Sequence, residues 1–464
     1  MRLSLGSVLA LFSTFSLVYT GQVPKVNNVL GGVPTTALSI KEKPAKPVNT
    51  SPGVLRIRSE NSGICVTGIY PRTKAFGMFP TQLTTYTNSA DRFWFFEART
   101  RDARSAPLTI WLNGGPGSSS MLGLFQENGP CRITNDSTGV TLNPNSWNEV
   151  SNMLYIDQPV GVGFSYGNTT VGTSLEAAQD TWKDIMALSL LQQNAAISRG
   201  EIQGIHLNLQ VLGIGDGLTD PLNQYPGYLT YALTNKYHPL VSVATVEAGN
   251  TSFYEEGGCQ DLIEGCYASN GENTTVCSKA QSFCNDRILS PLAGNYDVYY
   301  VLSEDPDPYP PNLAPYLTSS NLTSKIGSEA VWKQTNDDVY DNFAKTGDWM
   351  TNSRLELQTV IESGVRTIIY DGDADYILNY QGVEAMINAL ETQNTAGFQA
   401  QTFKNFTVAG QVAGIYKNAG NFHYVRIFGA GHEVPAYKYG TLTTGQAALQ
   451  FFSQIMSNQP LSST

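Results

Sequence analysis

The feature that most constrains the fold of this chain is a glycine-rich turn placed directly after an apolar strand. Residues 108–112 (LTIWL) are an apolar run that predicts a buried strand, and residues 113–117 (NGGPG) follow it. Because glycine has no Cβ, such a turn lets backbone N–H groups approach a ligand closely. Acyl-transfer enzymes aim donors of this kind at the oxyanion of a tetrahedral intermediate. A strand can also simply end in a glycine turn, so the rest of the chain decides between the two interpretations.

Predicted strands and helices alternate along much of the chain. The strand predictions fall at residues 64–70, 92–97, 153–156, 209–214, 367–370 and 424–428. The helix predictions fall at residues 174–198, 354–363, 380–392 and 442–457. This alternation implies an α/β class, in which helices cover both faces of a mixed or parallel sheet.

Several blocks of the sequence resemble the serine carboxypeptidases, peptidase family S10, and occur in the order of that family. They are the glycine-rich turn and residues 123–130, 155–166, 213–221, 370–375 and 429–435. Residues 129–132 (GPCR) and 432–435 (HEVP) look most like the secreted fungal branch. The resemblance runs from about residue 60 to the end of the chain. It implies an α/β-hydrolase fold, with a mixed, mostly parallel sheet and a helical cap insertion.

The sequence predicts five segments. Residues 1–20 have the charge and apolar core of a secretory signal peptide, and residues 21–50 resemble a leader or pro-segment. The hydrolase core is expected in two parts, residues 51–221 and 346–464. Residues 222–345 lie between them and are expected to form the cap, because they hold a cysteine cluster, a proline-rich stretch and helical patterns.

Composition limits the partners and the location that we expect. The net charge of −11 argues against nucleic acid as a partner and suits a protein that works in acid. No membrane anchor is expected, because the apolar run near the amino terminus is short and no later segment is long enough to span a bilayer. We expect a secreted, extracellular protein, with the vacuole as the alternative, that uses no metal and no cofactor. The sequence does not determine its oligomeric state.

Six cysteines fit an oxidising compartment, and four of them, within residues 259–284, are spaced as two nested loops. The predicted bridges are Cys259–Cys284, Cys266–Cys277 and Cys65–Cys131. Zinc binding by the cluster is the alternative, but the spacings are wide and no histidine is nearby. Seven N-x-S/T sequons also agree with secretion, at Asn49, Asn135, Asn168, Asn250, Asn273, Asn321 and Asn405.

Only one of the four histidines has the sequence context of a catalytic base. His432 follows residues 429–431 (GAG) directly after an apolar strand, where a loop at the sheet edge would present it. The resemblance identifies His432 as the general base and Asp375 as the carboxylate that orients it. Asp373 is expected to cap its own turn instead. The other histidines are expected to be structural: His206, His238 and His423.

The resemblance also implies a subsite for the free carboxylate of a peptide or protein C-terminus. The family binds this group with glutamates and with an asparagine and a glycine, which here correspond to Glu127, Asn113 and Gly114. A carboxylic acid donates to a carboxylate only when it is protonated, so binding would be favoured at acid pH. Gly115 would supply one oxyanion N–H. Glu433, next to the histidine, would favour Lys or Arg near the scissile bond.

The nucleophile that the family requires is missing from its expected place. An α/β hydrolase carries this serine on a strand–turn–helix elbow, Gly-x-Ser-x-Gly. The family places the elbow shortly before the block at residues 213–221, yet residues 180–194 contain no such turn. The deficit corresponds to one strand and one helix, roughly 30–40 residues by the size of a βα unit. The missing part would also hold a second carboxylate-binding glutamate and the other oxyanion donor.

Two serines in this part of the chain are poor substitutes. Residues 163–167 (GFSYG) match the elbow motif letter for letter and would make Ser165 the nucleophile. The motif counts only between a strand and a helix, and here a loop follows it. Ser189 is expected in the middle of a helix, where its hydroxyl would not be presented to a substrate.

Three functions remain open on the sequence alone. The first is a secreted serine-type carboxypeptidase that acts at acid pH, of which the chain as written would be an inactive form. The second is a non-catalytic, peptide-binding homologue. The third is a serine carboxypeptidase-like acyltransferase, which would need the same missing serine.

Overall fold

The structure is a computed structural model that describes the strands Arg56–Glu60 and Lys74–Pro80 and most of the chain from residue 90 onward. In that last part, residues 101, 102, 104, 168, 181–186, 202–205 and 304–310 are not described. The predicted signal peptide, the predicted leader and the predicted strand at 64–70 lie outside the described residues. So do Cys65, Asn49 and Asn168.

Twelve strands are present in the described residues. In chain order, β1 to β12 are Arg56–Glu60, Lys74–Pro80, Ala90–Phe96, Leu108–Trp111, Cys131–Ile133, Val140–Leu142, Asn152–Asp157, Val211–Gly215, Arg366–Gly372, Lys404–Val408, Gln411–Ala419 and Phe422–Ile427. The α-helices are Ser174–Asp180, Ala187–Ser198, Pro221–Gln224, Pro226–Thr234, Val243–Tyr254, Cys259–Ala268, Thr274–Cys284, Ser290–Leu292, Ala314–Leu317, Ser320–Ile326, Asp337–Thr346, Arg354–Glu362, Tyr380–Asn388, Thr395–Gln399 and Gln446–Met456.

Ten of these strands form two separate five-stranded sheets, and β5 pairs with β6. The first sheet has the order β1-β2-β3-β7-β4 and the second has the order β10-β11-β12-β9-β8. Parallel pairing is confined to β4 with β7 and to β8, β9 and β12. The other neighbouring strands, β1 to β3 with β7 and β10 to β12, pair antiparallel, so the parallel character that the sequence predicts belongs to the strands nearest the site.

Strands β4 and β8 are the last strands of their sheets, and this corrects one prediction. The strand at residues 108–112 was expected to be buried, but Leu108 is 56% exposed and Ile110 is 38% exposed. No residue of β8 is buried either. The physical reason is that no described strand pairs with the free edge of β4 or β8, so side chains suited to a central strand are left uncovered.

The two sheets nevertheless share one hydrophobic core, and Trp147 links them. Its ring stacks on Phe452 of the C-terminal helix, with ring centroids 4.0 Å apart. The same ring lies 5.3 Å from Trp111 of the first sheet and 6.4 Å from Tyr370 of the second. This aromatic contact, together with the buried side chains around it, keeps the two sheets in one body.

Helices within residues 222–345, the predicted cap, surround a second core that contains the cysteine cluster. The predicted bridges Cys259–Cys284 and Cys266–Cys277 are confirmed, with Cα–Cα distances of 5.1 and 4.8 Å. Cys131 is also disulfide-bonded, but Cys65 lies outside the described residues. In the part of the chain that the structure describes, no helix is long and apolar enough to cross a membrane.

Some element boundaries differ from the sequence prediction for identifiable reasons. The helix expected at 174–198 is described as two helices, separated by residues 181–186, which are not described. The hairpin of β10 and β11 was missed, because its two-residue turn is Ala409-Gly410, with φ of 48° and 80°. Positive φ at both central residues is usually signalled by Asn-Gly or Asp-Gly, so this turn gave no sequence signal.

Candidate active site

The candidate site lies where the C-terminal ends of β4, β8, β9 and β12 meet. Asn113 follows β4, Asp216 follows β8, Asp375 follows β9 and His432 follows β12. Parallel strands place their C-terminal ends at one edge of a sheet, which brings together residues that are far apart in sequence.

His432 and Asp375 form a hydrogen-bonded pair. The Nδ1 atom of His432 donates to Oδ2 of Asp375 at 2.9 Å, and the two side chains are 13% and 0% exposed. The backbone N–H of His432 donates to the carbonyl of Tyr299 at 2.9 Å, which fixes the loop. Burial raises the pKa of Asp375, while the charge of His432 and its hydrogen bond lower it. The pair therefore has the geometry of a base held by a buried carboxylate.

Asn113 and Glu127 form the other half of the site. The amide Nδ2 of Asn113 donates to Oε1 of Glu127 at 2.9 Å. The amide oxygen of Asn113 in turn accepts from Nε1 of Trp111 at 2.8 Å and from the backbone N–H of Gly123 at 3.0 Å. These contacts determine which way the amide points, so its N–H₂ group faces the glutamate.

Glu127 is buried at the end of the short π-helix Gly123–Glu127. Its carboxyl interacts electrostatically with His432 in the other half of the site. Burial raises the pKa of Glu127 to about 7, against the opposing effects of the hydrogen bond from Asn113 and of the positive charges of His432 and Arg132. At acid pH the Glu127 carboxyl is therefore protonated and able to donate to an anion.

Comparison with known proteins decides the family. A family model described as serine carboxypeptidase (Peptidase_S10) matches residues 82–193 and 185–458. Carboxypeptidase S1 of Penicillium janthinellum is 35% identical over 437 residues, which cover 87% of this chain and 100% of that protein. The chain belongs to the serine carboxypeptidase family. It is therefore a serine-type carboxypeptidase, a hydrolase of peptides, by family.

Two further relatives agree with this membership. Carboxypeptidase Y of Schizosaccharomyces pombe is 31% identical over 464 residues, or 87% of this chain and 46% of that protein. Among solved structures, the prohormone-processing carboxypeptidase Kex1Δp of Saccharomyces cerevisiae matches with a TM-score of 0.64 and 21% identity. That match covers 86% of this chain and 92% of the Kex1Δp chain, and it shows the α/β-hydrolase fold.

The alignment to carboxypeptidase S1 also contains positions that this serine carboxypeptidase lacks. It spans 437 positions, whereas 87% of the 464-residue chain is about 404 residues, so about 33 positions have no counterpart here. The two stretches that match the family model meet at residues 185–193. This is the interval in which the sequence has no elbow.

In this serine carboxypeptidase, the hydroxyl of Ser165 is hydrogen-bonded to the backbone of two other residues. Its hydroxyl donates to the carbonyl of Asp157 at 2.6 Å and accepts from the backbone N–H of Arg92 at 2.7 Å. The side chain is buried, and the next described helix begins only at Ser174. Ser189 lies within the helix Ala187–Ser198. Neither serine has the strand–turn–helix context of an elbow.

Gly114 and Gly115 lie in the turn after β4, and Glu433 lies in the loop after β12. Gly114 is exposed, and a Cβ built there would meet nothing within 4 Å, so a ligand can approach its backbone. Gly115 has φ of 130°, a conformation that favours glycine. Glu433 is partly buried and precedes the 3₁₀ turn Val434–Ala436. The roles predicted for these three residues stay predictions.

The aspartate and histidines expected to be structural have mainly structural contacts. Asp373 accepts hydrogen bonds from Tyr237 and, at 2.7 Å, from the backbone N–H of Gly429, and so ties two loops together. His423 Nδ1 lies 2.7 Å from Oδ1 of Asn418, and burial lowers the pKa of His423 to about 4. The other two histidines contact the backbone or solvent: His238 and His206.

Sequence reasoning missed two residues of this site. Arg132 donates through Nη1 to the carbonyl of Gln126 at 2.8 Å and through Nη2 to the carbonyl of Pro435 at 3.0 Å. It therefore connects the Glu127 helix to the loop after His432. Asp216 is buried beside Asp375, and its position directly after a strand was the available signal.

Proposed function

We propose that this chain derives from a secreted carboxypeptidase that releases C-terminal residues from peptides at acid pH, and that it lacks the segment with the nucleophile. The observation that carries the proposal is the pairing of Asn113 with Glu127 beside the pair of Asp375 with His432. The first pair suits recognition of a free α-carboxylate, and the second suits general-base chemistry.

Glu127 supports the preference for acid pH. A substrate carboxylate would be repelled by an ionised Glu127 but would accept a hydrogen bond from a protonated one. Because the pKa of Glu127 is raised to about 7, its carboxyl is protonated throughout the acid range. Peptide binding through this pair is therefore expected to strengthen as the pH falls through about 7.

Three independent observations support the missing segment. The free edges of β4 and β8 leave Leu108 and Ile110 uncovered, as removal of a strand between them would. About 33 aligned positions of carboxypeptidase S1 have no counterpart in this chain, a total large enough to include one strand and one helix. The matches to the family model meet where the elbow belongs.

The proposed lack of the segment with the nucleophile also favours a second candidate function, that of a non-catalytic peptide-binding protein. Without a serine at the elbow, His432 has no hydroxyl to activate, and one oxyanion donor is missing as well. Losing a single oxyanion donor typically slows catalysis by ~10²–10³. Asn113, Gly114 and Glu127 remain of the predicted carboxylate subsite, while its second glutamate would be lost with the segment. The chain as written is therefore expected to bind C-terminal peptides, more weakly than an intact relative, without hydrolysing them.

The decisive experiment compares this chain with a version in which the nucleophile-elbow segment of carboxypeptidase S1, roughly 30–40 residues by the size of a βα unit, is inserted between residues 183 and 190. Both are assayed on an N-blocked dipeptide at about pH 4–6, with a serine-directed phosphonate label and calorimetric titration of the same peptide. We expect turnover and labelling only after insertion, and peptide binding in both. The His432→Ala variant of the restored chain serves as the matched control.

Turnover by the unmodified chain, or labelling of Ser165, would show that the nucleophile lies elsewhere. A restored chain that neither binds nor cleaves the peptide would refute the carboxypeptidase proposal itself. For secretion, the mature amino terminus after expression in a fungal host is the test. Cleavage near residue 20 is expected, and an uncleaved, retained chain would contradict it.

A further inference from the structure

We propose that Asp216 and Asp375 share one proton, and that the protonated carboxyl of Asp216 positions Asp375 for its hydrogen bond with His432. Asp216 would then be a positioning residue, because it acts through Asp375 and not on the substrate. The consequence for catalysis rests on the proposed function. The shared proton does not, and can be measured in the chain as it is.

The geometry brings the two acids together in the protein interior. Asp216 follows β8 with φ of 44° and is 2% exposed, and Asp375 is fully buried. Ligand atoms of Asp216, Asp375 and His432 all lie within 4.8 Å of one another. The two carboxyls therefore face each other in a space that they share with the imidazole.

Each of the two carboxyls has one oxygen that accepts a hydrogen bond and one that has no hydrogen-bond partner among the described residues. Oδ1 of Asp216 accepts from the backbone N–H of Gly372 at 3.0 Å, and Oδ2 of Asp375 accepts from His432. Oδ2 of Asp216 and Oδ1 of Asp375 are buried without a hydrogen-bond partner among the described residues. Leaving such an atom unsatisfied costs about 1–3 kcal/mol, and more when it is charged. One proton between the two orphaned oxygens satisfies both.

Two adjacent carboxylates in a buried space cannot both be ionised, because their repulsion is barely screened. The surroundings decide which of them keeps the proton. The backbone N–H groups of Ile377 and Leu378 and the imidazole of His432 all stabilise the charged form of Asp375. Asp216 has one backbone N–H from Gly372, and burial together with the charges of Asp375 and Asp371 raises its pKa well above its usual range. The proton therefore belongs on Asp216.

The other titratable groups packed around the two carboxyls do not favour moving the proton from Asp216 to Asp375. Asp371 is itself buried and receives the hydroxyl of Tyr424 at 2.8 Å. Arg426, whose positive charge acts to lower the pKa of Asp371, pairs with Glu384 at 3.2 Å. Further groups whose pKa values respond to the charges of this cluster are the tyrosines Tyr228, Tyr231 and Tyr370, and Glu127 faces His432 from the other half of the site. Of these groups, His432 is the cation that contacts the pair.

A protonated Asp216 has two effects on the base. It leaves a single negative charge next to His432, so that the imidazolium is stabilised by one carboxylate and not by two. It also holds Oδ1 of Asp375, which directs Oδ2 towards Nδ1 of His432. The backbone donors at residues 377 and 378 alone leave that oxygen without a partner.

The test uses Asp216→Asn, which keeps an acceptor for Gly372 and supplies N–H donors but carries no charge. The pKa of His432 is followed by NMR, which resolves the four histidines, and the His432 signal is assigned with His432→Asn. We expect Asp216→Asn to shift the pKa of His432 by less than about 0.3, since it replaces one neutral donor by another. An ionised Asp216 would make the variant lower that pKa by about 1 or more, which would overturn the proposal.

Infrared spectroscopy at about pH 8.5 provides a second readout on the unmodified chain and on Asp371→Asn. At that pH Glu127 and Asp157, with pKa values of about 7 and 6, are ionised. Burial also raises the pKa of Asp371 well above its usual range, so Asp371→Asn removes the contribution of that carboxyl to the spectrum. We expect a carboxylic acid C=O band that remains in Asp371→Asn and disappears when Asp216→Asn is added to Asp371→Asn. If Asp216→Asn does not fold, absence of the band from Asp371→Asn alone refutes the proposal.

A divalent cation is the other way to satisfy two orphaned carboxylate oxygens and an imidazole, and the experiment distinguishes it. Zn²⁺ and Mn²⁺ are titrated into the chelator-treated chain while the His432 signal is observed. The proposal predicts no stoichiometric shift or broadening of that signal. A metal bound at one equivalent, lost in Asp216→Asn, would overturn the shared proton in favour of a metal site.

Discussion

Replacement of Glu127 by Gln is predicted to remove one defined part of the pH dependence of stability. Burial raises the pKa of Glu127 from 4.5 to about 7 in the folded protein. The folded state therefore binds the proton more tightly than the unfolded chain does. The native state is destabilised above about pH 7, and this destabilisation is relieved progressively as the pH falls towards 4.5. A difference of this size corresponds to about 3 kcal/mol.

The assay is urea unfolding at about pH 4 and pH 8 for the unmodified chain and for Glu127→Gln. At pH 8 the variant is expected to be more stable than the unmodified chain, by up to about 3 kcal/mol, because it has no carboxylate to bury. At pH 4 the two are expected to be nearly equal. The exposed Glu356→Gln is the matched control and should follow the unmodified chain at both values. Equal pH slopes for Glu127→Gln and the control would refute the reasoning.

Three more predictions follow from the same structure. Inserting the segment that we propose is missing should cover Leu108 and Ile110, whose exposed fractions of 56% and 38% amount to about one exposed aliphatic side chain. That burial should add about 1.5–3 kcal/mol to the free energy of unfolding in urea, and a restored chain no more stable than the original would contradict it. In the restored chain, Glu433→Met should reduce kcat/KM for C-terminal Lys or Arg more than for apolar residues, and an equal loss for both would remove its predicted role. Non-reducing peptide mapping should find Cys65 bridged to Cys131, and a free thiol at Cys65 would be the contrary result.

The parts of the site that could be predicted from sequence are the residues that follow predicted apolar strands. Asp375 and His432 each follow an apolar strand, and parallel strands bring such positions together whatever their separation along the chain. Asn113 and Glu127 could be named only through the family resemblance, because nothing in their spacing shows that an amide and a carboxyl will meet.

The parts that could not be predicted depend on the environment that a residue meets only in the folded chain. In the sequence, Asp216 is one aspartate after a predicted strand, and nothing there shows that folding buries it beside Asp375. The apolar residues of β4 predict a buried strand, yet Leu108 is exposed because no described strand pairs with the free edge of β4. In the same way, the hairpin at residues 404–419 turns through Ala409, which carries no turn signal of its own.

The free edges of β4 and β8 have a consequence for what several copies of this chain do at high concentration. Each of these strands pairs in parallel with its neighbour on the other side, so the β4 edge of one copy is suited to extend, in parallel, the sheet that ends at the β8 edge of another. Such a contact uses two different surfaces, is heterologous, and does not close into a symmetric dimer. Assembly through these edges would therefore lengthen into open-ended polymers, and the growth would depend steeply on how much of the chain accumulates in one compartment.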